Sequence, residues 1–218
     1  MTRELNHFLI GESYGGNQDW FPTFMMRAGG CAAETACDSS IYFALHRGLT
    51  GIAPENAASL SKKDYIRFAY EMKPFLSPRA HGVDRLETYI DGYMQFLRSR
   101  GETGLRMTPF PGTESCEAAQ KQVVRQIEGG YPLPMLVLNH RNKKYRDYVW
   151  HWFLLNGYDD SELRFRVKAV TYSAFQWLDF GELWDTGFRN RGGLVLYDLE
   201  GSRSALSART GDERTEGV

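Results

Sequence analysis

Apolar residues recur at spacings of three and four through residues 31–128, then give way to short apolar runs and strict alternation. In CAAETACDSSIYFALHR, residues 31–47, the positions Ala33, Ala36, Cys37, Ile41, Ala44 and Leu45 form one broad face and predict a helix directly after Gly29-Gly30. A second helix is expected after Ser61, where Ser-Lys-Lys-Asp has the spacing of a capping box and Tyr65, Phe68, Ala69 and Met72 line one side. Pro74 and Pro78 end it. A third, over 82–99, carries Leu86, Tyr89, Ile90, Tyr93 and Leu97, with Gly101 placed to stop it. A fourth, over 114–128, turns Ala119, Val123, Val124 and Ile127 inward.

The period then changes. Residues 134–139, 149–158 and 192–199 read as apolar strands. Residues 163–170 alternate, with Leu163, Phe165, Val167 and Ala169 on one face and Arg164, Arg166 and Lys168 on the other. Helices first and strands second predict an α+β domain with an N-terminal helical half and a C-terminal antiparallel sheet. Residues 1–30 read as an irregular opening segment and residues 1–200 as one domain. The tail 201–218 lacks apolar periodicity and is expected to be disordered.

Composition narrows the function classes. The net charge of −1 removes any overall electrostatic reason to expect nucleic acid or an anionic membrane as partner. No run approaches the roughly 18 apolar residues of a membrane helix, and the first residues have no apolar core of a secretory signal. Three cysteines with no CxxC pair argue against a disulfide framework, so a cytoplasmic location with reduced thiols is expected. Neither His140 nor His151 belongs to a Cys/His cluster with zinc spacing. The Gly pairs lack the strand–GxGxxG–helix context of a nucleotide site. No metal and no cofactor are therefore expected, and the basic run 141–146 reads as a solvated loop.

Two residues carry candidate chemistry. A cysteine acts as its thiolate, which a helix N-terminus or a nearby imidazolium favours. Cys31 opens the first helix behind a Gly-Gly pair that lets the chain approach closely, and so is the candidate nucleophile. Cys37 lies mid-helix and Cys116 has no histidine context; both read as structural. His151, between Trp150 and Trp152 in an apolar strand, is the candidate general base.

GGCAAETA at 29–36, GYPLPMLVL at 130–138 and HWFLLNGYDD at 151–160 resemble bacterial papain-like cysteine peptidases of the bacteriocin-processing type and related peptidase-like domains. The resemblance runs in order over about 17–172. It implies a papain-like fold and assigns Gln18 as an oxyanion donor with the backbone N–H of Cys31. Ala32 stands where that family usually has glycine. Thr171, Tyr172 and Ser173 occupy the stretch where the family places the Asp or Asn that orients the histidine, with Asp179 the nearest carboxylate beyond. A dyad, an unusual orienting residue and an inactive site all stay open.

The expected function is a cysteine hydrolase that cleaves a peptide or small amide through a thioester. Its rivals are a papain-like peptide-binding module with weak or no turnover and a cysteine acyltransferase.

Overall fold

The computed structural model describes residues 1–78, 82–161 and 163–200; the tail expected to be disordered lies outside the described residues. The chain forms an α+β structure around a mostly antiparallel sheet. Strand β1 (Thr2–Glu4), the small hairpin β2 (Leu9–Ile10) and β3 (Ser13–Tyr14), and helices α1 (Phe24–Gly29) and α2 (Cys31–Arg47) come first. Helices α3 (Lys62–Met72) and α4 (Leu86–Ser99), strand β4 (Leu105–Pro111) and helix α5 (Cys116–Glu128) follow. Strands β5 (Leu133–Val137), β6 (His151–Asp159), β7 (Arg166–Thr171) and β8 (Ala174–Asp179), helix α6 (Phe180–Trp184) and strand β9 (Gly192–Leu199) complete it.

The strand order is β4-β9-β5-β6-β7-β8, and β1 adds to the second half of β6 beyond the end of β5. All strand pairings among the described residues are antiparallel, in agreement with the expected sheet. Among the described residues no helix is long and apolar enough to cross a membrane.

Helix α2 has the predicted bounds, but its environment differs from the prediction. Every residue from Cys31 to Phe43 is buried, the polar Glu34, Thr35, Asp38, Ser39 and Ser40 included. The polar side that reads as a solvent face is a second interior face; Asp38, Ser39 and Ser40 have protein partners there, while Glu34 Oε2 is buried without one. The Ser40 and Tyr93 hydroxyls meet at 2.8 Å, the Tyr197 hydroxyl donates to Ser39 Oγ at 3.0 Å, and the Tyr65 hydroxyl donates to Asp38 at 2.7 Å. Gly48, in the left-handed region, stops the helix. At the other end a side chain on Gly30 would come within 2.3 Å of the Met26 carbonyl, so only glycine lets α1 turn directly into α2.

The other helices follow their apolar faces. Ser61 and Asp64 form the reciprocal capping box of α3, whose Tyr65, Phe68, Ala69 and Met72 are buried. Helix α4 begins at Leu86, later than expected, because Arg85 is extended at its N-cap. Helix α5 begins at Cys116 behind Ser115, whose hydroxyl accepts from Ala118 N–H at 3.1 Å.

Three strand regions depart from the pattern. Strand β4 is unpredicted because Pro109 and Pro111 interrupt it; it pairs with β9 alone, and at a sheet edge the missing N–H groups leave no partner stranded. The alternation at 163–170 does not separate buried from exposed. Leu163 is exposed, whereas Lys168 is buried and donates to Glu4 at 2.6 Å and to the Tyr14 hydroxyl at 2.9 Å, because β1 and β3 cover that face. Residues 1–30, read as irregular, hold the short elements that provide this cover.

The third departure is β8, joined to β7 by a two-residue turn at Tyr172-Ser173 in which Thr171 pairs with Ala174. Both central residues have positive φ, 51° and 63°, the signature of a type I′ turn. Asn-Gly usually marks such a turn; Tyr-Ser hides it from the sequence. Left-handed backbone costs a residue with a Cβ roughly 1–2 kcal/mol, and Ser173 Oγ is buried without a partner. Ser173→Gly is expected to raise stability by about 1 kcal/mol, measured by reversible urea unfolding; a loss of stability would contradict the strain assigned to this turn.

Candidate functional site

Two predicted site residues, Cys31 and His151, lie where the start of α2 meets the start of β6, and the third, Gln18, lies in the segment that precedes α1. The backbone N–H groups of Trp152, the residue after His151, of Ala32 and of Cys31 itself favour the charged form of the Cys31 sulfur. Cys31 is 5% exposed and His151 3% exposed. Among the described residues no hydrogen bond joins Cys31 directly to His151; the nearest tie is the amide of Trp152, next to His151 in the chain, which acts on the sulfur.

His151 is held from two sides. Its Nε2 lies 2.7 Å from Thr171 Oγ1, and Tyr172 stacks on the imidazole with ring centroids 4.8 Å apart and planes 8° from parallel. Thr171 thus stands at the ring nitrogen that an Asp or Asn was expected to orient. Asp179 is committed elsewhere: it accepts from Glu182 N–H at the start of α6 and from Arg164 at 3.0 Å. The type I′ turn explains how Thr171 and Tyr172 reach His151 together, since Thr171 ends β7 and Tyr172 begins the turn. Trp150, directly before His151, also has positive φ, at 54°, and is 51% exposed. Backbone in this region is costly for a bulky residue and persists where the surrounding structure fixes it.

Thr171 differs from a carboxylate in one chemical respect. A carboxylate only accepts, so it forces Nε2 to carry the proton. A hydroxyl both donates and accepts, so the Nε2–H tautomer, with Nδ1 free as a base, is one of two that Thr171 can satisfy.

Gln18 sits in a short 3₁₀ helix, Gln18–Trp20, beside the first turn of α2. Its backbone N–H donates to the Glu34 carboxyl. Its side-chain Nε2 donates to the Arg27 carbonyl at 3.0 Å, and Oε1 is buried without a partner. One of the two Nε2 hydrogens is thereby engaged, and an oxyanion role would draw on the other.

Electrostatics overturn one expectation. The helix start was expected to depress the Cys31 thiol. Instead burial pushes it up to about 11, aided by the charge of Glu34 and opposed by the N–H groups of Trp152, Ala32 and Cys31 itself. Burial also lowers His151 to about 4. The resting pair is a neutral thiol beside a neutral imidazole. Glu34 is itself held well above the usual carboxylate range by burial and by Asp38. Sequence reasoning missed Glu34 because it reads as a solvent-facing residue of an amphipathic helix.

The remaining candidates take structural places. Cys37 is fully buried in α2, and Cys116 opens α5, where Gln120 Nε2 lies 3.7 Å from its sulfur. All three cysteines are free. His140 Nε2 lies 2.9 Å from the Glu182 carbonyl, and the described residues contain no cluster able to hold a metal ion. Tyr145, within the basic run, is buried, while Lys144 beside it pairs with Glu182 at 3.2 Å.

Compared with known proteins, the chain matches no family model, no curated protein and no solved structure.

The neutral pair has a direct kinetic signature. Alkylation of Cys31 by iodoacetamide, mapped by mass spectrometry, should be slow at pH 7 and rise about tenfold per pH unit toward the alkaline range. A rate that levels off below pH 8 would mean a preformed thiolate and would overturn the neutral assignment.

Proposed function

We propose that the chain is a thiol hydrolase with a papain-like arrangement, cleaving a peptide or small amide bond through a thioester at Cys31. The observation that carries this reading is the joint placement of Cys31 against the Trp152 N–H and of His151 Nε2 against Thr171, which brings a thiol, an imidazole and an orienting hydroxyl into one neighbourhood. The α+β architecture, with a cysteine opening a buried helix and a histidine opening the strand packed on it, supports the papain-like reading. The free thiols favour a reducing, cytoplasmic setting.

The chemistry starts from neutral groups. Cys31 Sγ attacks the carbonyl carbon as its proton passes to His151 Nδ1, the nitrogen turned away from Thr171. Charge builds on the carbonyl oxygen, where the Cys31 N–H and the second Nε2 hydrogen of Gln18 would donate. Collapse of this intermediate breaks the C–N bond, and the imidazolium returns the proton to the departing amine. Water, deprotonated by the same imidazole, then hydrolyses the thioester and restores the thiol. General-base transfer within the step replaces a standing thiolate, so a thiol at about 11 is compatible with turnover.

The burial and raised pKa of Cys31 favour a second reading, a peptide-binding module with no turnover. A peptide-library screen and a thiol-directed peptidyl probe separate the two. Cys31→Ala and His151→Ala should each abolish cleavage, because members of such a unit act together. Thr171→Val should lower kcat at least tenfold but by less than the roughly 10⁴-fold cost of losing a buried orienting carboxylate, since a hydroxyl fixes the tautomer less firmly. If the folded wild type cleaves nothing and labels no better than Cys31→Ala while still retaining peptides, the binding module stands instead.

A further inference from the structure

A chain of backbone hydrogen bonds ties the centre of α2 to the turn that holds His151. Asp38, buried in α2, accepts the Gly16 N–H on both oxygens, at 3.2 and 3.1 Å, and accepts the Tyr65 hydroxyl at 2.7 Å. The Gly16 carbonyl in turn accepts from Ser173 N–H at 2.8 Å, and Tyr14 N–H donates to the Ser173 carbonyl at 3.0 Å. Ser173 is the second central residue of the strained turn, and Tyr172, the first, stacks on His151. Gly16 has no freedom to move toward Tyr65: a Cβ there would lie 1.9 Å from the Tyr65 hydroxyl. Two residues further on, the same segment carries Gln18.

We propose that Asp38 is a positioning residue for His151, clamping Gly16 so that the Gly16–Ser173 bond keeps the Tyr172-Ser173 turn, and with it Thr171 and Tyr172, in register with the imidazole. The proposal rests on the reading of Cys31 and His151 as the working pair. Asp38 is the natural point of control. It is the only side chain among the described residues that binds the Gly16 amide, and without it two residues with positive φ keep their conformation on fewer anchors.

The clamp senses protonation. An ionised carboxylate only accepts, so both oxygens can share the Gly16 N–H; a protonated one gains an O–H donor that needs an acceptor of its own. The titratable groups that face Asp38 are Glu34 and Cys37 on α2, Tyr65 from α3, and His7 from the N-terminal segment with Nε2 3.9 Å from Oδ2. His7 makes no hydrogen bond through either ring nitrogen, and burial lowers it to about 3, so it supplies no counter-charge near neutrality. Burial lifts Asp38 to about 7 against the bonds from Tyr65 and Gly16, whereas His151 itself is held near 4.

Nitrogen-15 NMR of the full chain across pH 5–9 tests this without turnover. In the wild type the His151 ring and the Ser173 amide should share an inflection near pH 7 that requires a titratable Asp38 beside Glu34. Asp38→Asn keeps an oxygen for Gly16 but cannot titrate; it should lose the inflection and keep the wild-type His151 tautomer. Asp38→Ala should mix the tautomers and speed exchange of the Gly16 and Ser173 amides at least tenfold. An inflection that survives in Asp38→Asn, or a folded Asp38→Ala with unchanged His151 shifts and Ser173 protection, overturns the proposal. If Asp38→Ala does not fold, the Asp38→Asn titration decides alone. A wild type that shows the coupling yet cleaves nothing refutes the hydrolase reading only; one that cleaves while Asp38→Ala leaves His151 undisturbed refutes the positioning role only.

Discussion

Complete burial of the first three turns of α2 is the constraint on which the rest of the structure depends. A helix surrounded on all sides has no solvent to satisfy its polar side chains, and each buried group left unpaired costs roughly 1–3 kcal/mol. The neighbours of α2 answer with hydroxyls and amides: Tyr93 from α4, Tyr197 from β9, Tyr65 from α3 and the Gly16 N–H from the N-terminal segment. Tyrosine suits this position because its ring fills apolar volume while its hydroxyl reaches the helix. The polar residues of α2 therefore fix where three other elements pack, and they tether the N-terminal segment that carries Gly16.

The same burial decides the state of the candidate nucleophile. A helix N-terminus stabilises a nearby charge by about 0.3–1 kcal/mol, up to about 2 in partly buried settings. Raising a thiol from its ordinary value of 9.0 to about 11 corresponds to about 3 kcal/mol in the opposite direction. Burial wins by magnitude, even with three backbone N–H groups aimed at the sulfur. Glu34, one turn along the helix, adds negative potential on the same side. The position of Cys31 at a helix start says where the sulfur is, but not whether it is ionised.

This separates what the sequence makes legible from what it does not. The bounds of α2, the capping box of α3 and the strand at 192–199 are local, because spacing, caps and glycines determine them. A buried strand carrying His151 is legible for the same reason, although it begins at His151 and not at residue 149 as expected, because Trp150 is in the left-handed region. The burial of Glu34, Asp38 and Lys168 is not, since it depends on β1, β3 and α3 arriving from distant parts of the chain. Strand β4 is hidden by prolines that only an edge tolerates. The Tyr172-Ser173 turn is hidden most deeply, because neither residue announces positive φ; without it Thr171 stands only as one of four positions, with Tyr172, Ser173 and Asp179, from which the partner of His151 could come.

The absence of an Asp or Asn after the histidine strand reads as a missing part in the sequence. In the structure a threonine hydroxyl lies against the histidine ring nitrogen instead. Thr171 supplies one oxygen at 2.7 Å, while Tyr172 presses the imidazole from its face and the turn joining them is pinned through Ser173. A charged orienting group would fix the tautomer but would also put an anion near Glu34, whose carboxyl burial and Asp38 already hold well above the usual range. A hydroxyl adds no charge to an interior already holding two carboxyls one turn apart, and the restraint on the ring that it gives up is supplied by stacking and by backbone geometry.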